Sequence, residues 1–219
     1  MKAVNKGVLN LGGRLCLDVA TYPLGNEAEV EVYKGGIRAT EFVADEPTIE
    51  TVILVSRGPF YLYSNWTFSL ISNPAIYDRK KVFEIGMRKT LDKLIGKRQI
   101  IFVIDNPELE FDPRLCFKRP IRFSSSIENC SVSRAQYDLR NKEYRDLVYR
   151  VLKDYPKVKI FDAPAYLCDR SKCFAKMDDK VLYSDSNHLS IDGARIISRE
   201  LSKVIHGADS KTLMPILLE

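Results

Sequence analysis

Ile100-Ile101-Phe102-Val103-Ile104 is a run of five apolar side chains, preceded by Lys97-Arg98-Gln99 and followed by Asp105-Asn106-Pro107. A strand with no polar alternation is buried on both faces, which is the habit of a parallel strand covered by helices. Thr51-Val52-Ile53-Leu54-Val55-Ser56 and Val158-Lys159-Ile160-Phe161 read as further strands of the same sheet, and Gly7-Val8-Leu9-Asn10-Leu11, closed by Gly12-Gly13, as a short strand ending in a tight turn. Helical periodicity fills the intervals. Ile76 to Ile95 carries Val82, Phe83, Ile85, Met87, Leu91, Leu94 and Ile95, with Gly96 as its stop. Ser133 is an N-cap for a helix to Leu152, and Ile191 or Asp192 begins a last helix to Val204 with Ala194, Ile197, Leu201 and Val204 facing inward. Glu27 to Phe42 fits neither pattern well and is assigned to a hairpin around Lys34-Gly35-Gly36. The alternation predicts one α/β domain over residues 1–219, a three-layer α/β/α sandwich with a mostly parallel sheet and a C-terminal tail from 206. The site of such a fold lies at the carboxyl ends of its strands, here the loops after Leu11, Val55, Ile104 and Phe161.

Composition narrows the function classes. No apolar run approaches the roughly 20 residues of a membrane helix, and the first ten residues lack the apolar core and cleavage site of a secretory signal. The net charge of +5 is spread along the chain; only Asp78-Arg79-Lys80-Lys81 and Gly96-Lys97-Arg98 cluster, both beside a helix, so they read as solvated helix faces and not as a nucleic-acid surface. The five cysteines, at 16, 116, 130, 168 and 173, include no Cys-x-x-Cys pair, which argues against zinc. Cys168 and Cys173 enclose a short polar loop, and Cys116 and Cys130 bracket a segment without periodicity. Their spacing leaves two readings open, two local disulfides or reduced thiols.

The chemistry sits in Tyr183-Ser184-Asp185-Ser186-Asn187-His188-Leu189-Ser190, followed by the Gly193-Ala194 helix. A carboxylate three residues before an imidazole, on one turn, fixes the histidine tautomer and stabilises the imidazolium formed when His accepts a proton from a nucleophile. The chain has two histidines, and His206 lies near the tail, so a histidine base would be His188. A helix-capping Asp beside a surface His is the structural alternative.

This Asp-x-x-His-Leu-Ser turn leading into a Gly-Ala helix resembles the closing block of the SGNH (GDSL-like) hydrolase superfamily. Gly7 to Cys16, Thr51 to Arg57, Pro107-Glu108 with Asp112-Pro113, and the Leu167 to Cys173 loop resemble the extracytoplasmic SGNH domain of bacterial membrane acyltransferases that O-acetylate surface polysaccharides, over roughly residues 7 to 205. The resemblance implies an SGNH/flavodoxin-like fold, a Ser-His-Asp mechanism with Asp185 and His188, and disulfides Cys116–Cys130 and Cys168–Cys173. It also implies a periplasmic location, a membrane acyltransferase domain as acyl-donating partner in the parent protein, and a carbohydrate acceptor. No cofactor, metal or nucleic acid is expected. Arg57 and the amides of Gly12 and Gly13 are oxyanion candidates; Trp66, with Tyr61 and Tyr63, is a candidate sugar-stacking surface or else aromatic core.

The family's nucleophile lies in a Gly-Asp-Ser block on the first strand, and this sequence contains no Gly-Asp-Ser. Met1 falls after the expected position, so the first strand and its block are expected to be missing and the chain to be inactive alone. Ser56 is a weak substitute. Two other readings stay open, a non-catalytic glycan-binding or interaction module that keeps the fold and, more remotely, a cytoplasmic flavodoxin-like protein.

Overall fold

A computed structural model of the chain describes residues 7–11, 18–21, 27–116 and 130–207. The elements in order are β1 (Val19–Thr21), α1 (Glu27–Asp45), β2 (Thr51–Leu54), α2 (Gly58–Tyr63), β3 (Phe68–Leu70), α3 (Arg79–Leu94), β4 (Gln99–Ile104), a 3-10 turn (Pro113–Cys116), β5 (Ser131–Ser133), α4 (Arg134–Leu152), β6 (Lys159–Asp162), α5 (Pro164–Leu167), β7 (Lys172–Phe174), β8 (Lys176–Met177), β9 (Lys180–Val181) and α6 (Ile191–Ile205). They form two compact units, Met1–Val52 with Tyr61–Arg98, and Ile53–Phe60 with Gln99–Glu219.

In the first unit β1 and β3 pair antiparallel, Val19 opposite Leu70. α3 starts where Asp78 accepts a hydrogen bond from the Lys81 amide at 2.9 Å and buries Val82, Phe83, Met87, Leu91 and Leu94. Gly96 follows it at φ 79°, the left-handed conformation that ends a helix. Tyr61 is core, its ring 5.0 Å from Phe68 and 5.5 Å from Phe83. The hairpin expected at Glu27 to Phe42 is instead the helix α1. Two adjacent glycines weaken a helix in isolation, but Gly36 is buried and Arg98 donates to the carbonyls of Val43, Ala44 and Glu46 at the helix end. Packing and an ionised cap thus outweigh local propensity. The strand expected at Gly7 to Leu11 also does not form: these residues carry no regular structure and Val8 is 96% exposed. An apolar run becomes a strand only when a neighbour takes its backbone hydrogen bonds.

The parallel sheet has the order β2-β4-β6, and the second unit contains β4, β6 and the last two residues of β2. β4 and β6 run parallel with Ile101 opposite Lys159 and Ile104 opposite Asp162. The apolar run of β4 is buried on both faces, as its composition requires, each side chain contributing about 1.5–3 kcal/mol. Ile101, Val103, Phe161 and Ala163 pack under Ile197, Leu201, Val204 and Ile205 of α6. Among the described residues there are three two-stranded antiparallel ribbons, β1-β3 in the first unit and β5-β7 and β8-β9 in the second. Disulfides Cys116–Cys130 and Cys168–Cys173 are both formed. The mixed α/β fold with a parallel core is the one the sequence predicts. Among the described residues no helix is long and apolar enough to cross a membrane.

Candidate functional site

Three local devices shape the turn after β9. Ser190 caps α6, its hydroxyl accepting from the Gly193 amide at 3.2 Å and donating to the Val181 carbonyl at 2.7 Å. Gly193 allows the helix to sit against the preceding chain, because a Cβ there would lie 2.2 Å from the Leu182 carbonyl oxygen. The Ser184 amide donates to the His188 carbonyl and closes the loop between them. Beneath it, Tyr183 and Leu182 are buried with Leu109, Val132, Leu167 and Ala175.

Asp185 and His188 meet on this turn. Asp185 Oδ1 accepts the backbone amides of Asn187 at 2.9 Å and His188 at 2.8 Å, while Oδ2 lies 2.8 Å from His188 Nδ1. These amide hydrogen bonds, with that from the imidazole, hold the carboxyl below its ordinary range, to about 2. A carboxylate ionised in this way favours the tautomer with the proton on Nδ1 and leaves Nε2 as the basic nitrogen. The imidazole is 74% exposed, so Nε2 is open to an incoming group. An open cleft of about 450 Å³ borders the turn, lined by Asp112, Pro113, Arg114, Ser184, Asp185 and Ser186.

The loop after β4 braces the turn. The Leu109 amide donates to the Ser186 carbonyl at 2.6 Å and Asn106 Nδ2 to the Asn187 carbonyl at 3.1 Å. Glu108 in this loop is nearly buried, its side chain 10% exposed. It accepts from Arg57 Nε on one oxygen and from Arg140 of α4 on the other, each at 2.5 Å. Arg57 thus reaches the Asp185 neighbourhood from the end of β2. Hydrogen bonding to Glu108 raises its pKa further, and Asp105 and Asp185 add to the effect. Gly58 makes this approach feasible, since a Cβ would stand 2.2 Å from the buried Tyr144 ring. Asp105 is pushed up to about 7 by burial, with the Glu108 charge adding to the shift.

The other residues chosen from sequence fare differently. Gly12 and Gly13 lie outside the described residues. Trp66, 54% exposed, belongs to the first unit. The Ser56 hydroxyl is buried without a partner, which removes it as an accessible nucleophile. Glu108, Arg140 and Asp105 are not site candidates on sequence. A buried carboxylate between arginines 51 and 32 positions away leaves no local pattern.

Residues 19–203 match the family described as "SGNH domain (fused to AT3 domains)". The chain belongs to this family. No curated protein matches the sequence significantly. Among solved structures the SGNH domain resembles the periplasmic domain of a lipopolysaccharide acetyltransferase from Salmonella ser. Paratyphi A, at 15% identity and TM-score 0.51, covering 82% of this chain and 65% of that one. At that identity the likeness speaks for the fold, and the SGNH domain spans less than two thirds of its neighbour. A second structure, a putative platelet activating factor from Streptococcus pneumonia, aligns at 18% identity and TM-score 0.35 over 58% of this chain and 50% of that one, too little to support an argument.

Proposed function

We propose that this SGNH domain supplies the acid–base pair for acyl transfer or ester hydrolysis on a bacterial cell-surface polysaccharide. The reading places it in the periplasm, tethered in its parent protein to a membrane acyltransferase domain that donates the acyl group. The Asp185–His188 contact carries the reading: Oδ2 at 2.8 Å from Nδ1 orients the imidazole and leaves Nε2 to receive a proton. A serine hydroxyl gives its proton to His188 Nε2 as its oxygen bonds to the acyl carbonyl carbon. The tetrahedral intermediate expels the donor oxygen, which takes that proton from His188. A sugar hydroxyl or water then attacks the acyl-serine by the same steps in reverse order. Arg57 donates to the developing oxyanion. The sequence contains no Gly-Asp-Ser block, and the reading takes none of its serines as the nucleophile.

The family description supports acyl chemistry, and the two disulfides support an oxidising compartment. p-Nitrophenyl acetate hydrolysis by the 219-residue chain tests the serine assignment. The expected rate is background, unchanged by His188→Ala. Turnover abolished by His188→Ala would place the nucleophile inside the chain.

The missing Gly-Asp-Ser block and the exposed Trp66 favour a second reading, a glycan-binding module that has kept the fold. Saturable oligosaccharide binding that is lost in Trp66→Ala and unaffected by Asp185→Ala would put that reading first.

A further inference from the structure

We propose that Glu108 is a positioning residue: it aims the Arg57 guanidinium at the acyl group served by His188 and ties that aim to the catalytic turn. The inference rests on the acyl-transfer reading above. Arginine has five donors, and which of them face a substrate depends on which are already engaged. Glu108 Oε1 takes Arg57 Nε, the donor nearest the chain, so this contact does not use the two terminal nitrogens. The Phe60 ring, with its centroid 5.3 Å from the Arg57 guanidinium carbon, supports one face of the group. Arg140 holds Glu108 Oε2, so the carboxylate is fixed at both oxygens and nearly buried. A carboxylate fixed in this way selects one arginine direction, whereas an exposed partner would let the long side chain wander.

The second part of the inference is the coupling. The residue after Glu108 is Leu109, 4% exposed, whose amide is bonded to the Ser186 carbonyl on the Asp185–His188 turn. Asn106, two residues before Glu108, holds the Asn187 carbonyl of the same turn. The loop that aims Arg57 is therefore the loop that places the proton acceptor. An oxyanion donor is effective only when it points to where charge develops, with no reorganisation during reaction.

Methylphosphonate, a small tetrahedral oxyanion, tests this without requiring turnover. In the intact chain with ¹⁵N-labelled arginine and histidine, it should shift the Arg57 terminal nitrogens and bind at least tenfold more weakly to Glu108→Ala. Glu108→Gln keeps the side-chain volume and guards against a variant that fails to fold; it should lose the slow exchange of the Arg57 Nε proton, and Glu108→Asp should recover part of the affinity. Affinity within twofold of the parent in both Glu108→Ala and Glu108→Gln overturns the proposal, as does a parent whose Arg57 signals ignore the probe. The histidine signals separate the two readings. An Arg57 response lost in the Glu108 variants, beside a His188 without its Nδ1 proton, supports Glu108 and contradicts the acid–base pair. A probe that moves His188 but not Arg57 does the opposite.

Discussion

His188 Nδ1 stands 2.8 Å from Asp185 Oδ2, and the other Asp185 oxygen holds the backbone amide of that same histidine. One carboxylate thus fixes both the ring and the chain that carries it. Both members of the pair come from one turn, which the loop after β4 braces.

The Asp185 carboxyl, held at about 2, makes part of the stability acid-sensitive. A folded-state pKa below the unfolded value gives stabilisation that is present above pH ~4 and lost as pH falls through about 2. Asp185→Asn should therefore lower the melting temperature at neutral pH and flatten its decline between pH ~4 and ~2, as followed by circular dichroism.

Asp105 titrates with the opposite sign. Its folded pKa of about 7 exceeds the unfolded value, so the native state is favoured below pH ~4 and loses that advantage as pH rises to about 7. Asp105→Asn should stabilise the chain by roughly 2–4 kcal/mol at pH ~8 and have little effect at pH ~4, measured by urea denaturation at the two pH values.

Gly193→Ala should cost about 2–4 kcal/mol, because the new Cβ meets a backbone oxygen at 2.2 Å and backbone must move. Gly58→Ala meets the Tyr144 ring instead, which a second substitution can remove. Tyr144→Leu should destabilise the parent yet cost less in the Gly58→Ala background, a coupling that a double-mutant cycle reads directly.

Four of the five cysteines are paired, so thiol titration of the oxidised, denatured chain should find one free thiol. Cys116–Cys130 closes the longer loop, with a separation of 14 against 5, and chain entropy makes it worth roughly 3 kcal/mol against roughly 2 for Cys168–Cys173. Paired alanine substitutions, compared by denaturant melts, should rank in that order.

The sequence displayed what depends on near neighbours. The unbroken apolar run of β4, the Ser133 and Ser190 caps, the Gly96 stop and the Asp185–His188 turn are all set within a few residues. It concealed what depends on distant partners. α1 is a helix despite Gly35-Gly36 because Arg98, more than fifty positions on, satisfies its last carbonyls. Gly7 to Leu11 has a strand's composition without the strand. The Arg57–Glu108–Arg140 chain spans three elements, and nothing near Glu108 in sequence signals it.

The central claim is that Asp185 orients His188 as a proton acceptor, and the ¹⁵N spectrum of the His188 ring tests it without requiring a nucleophile. At slightly alkaline pH the account predicts a protonated Nδ1 and a bare Nε2, with the preference lost in Asp185→Ala. A parent chain with its proton on Nε2, unchanged in Asp185→Ala, would contradict it.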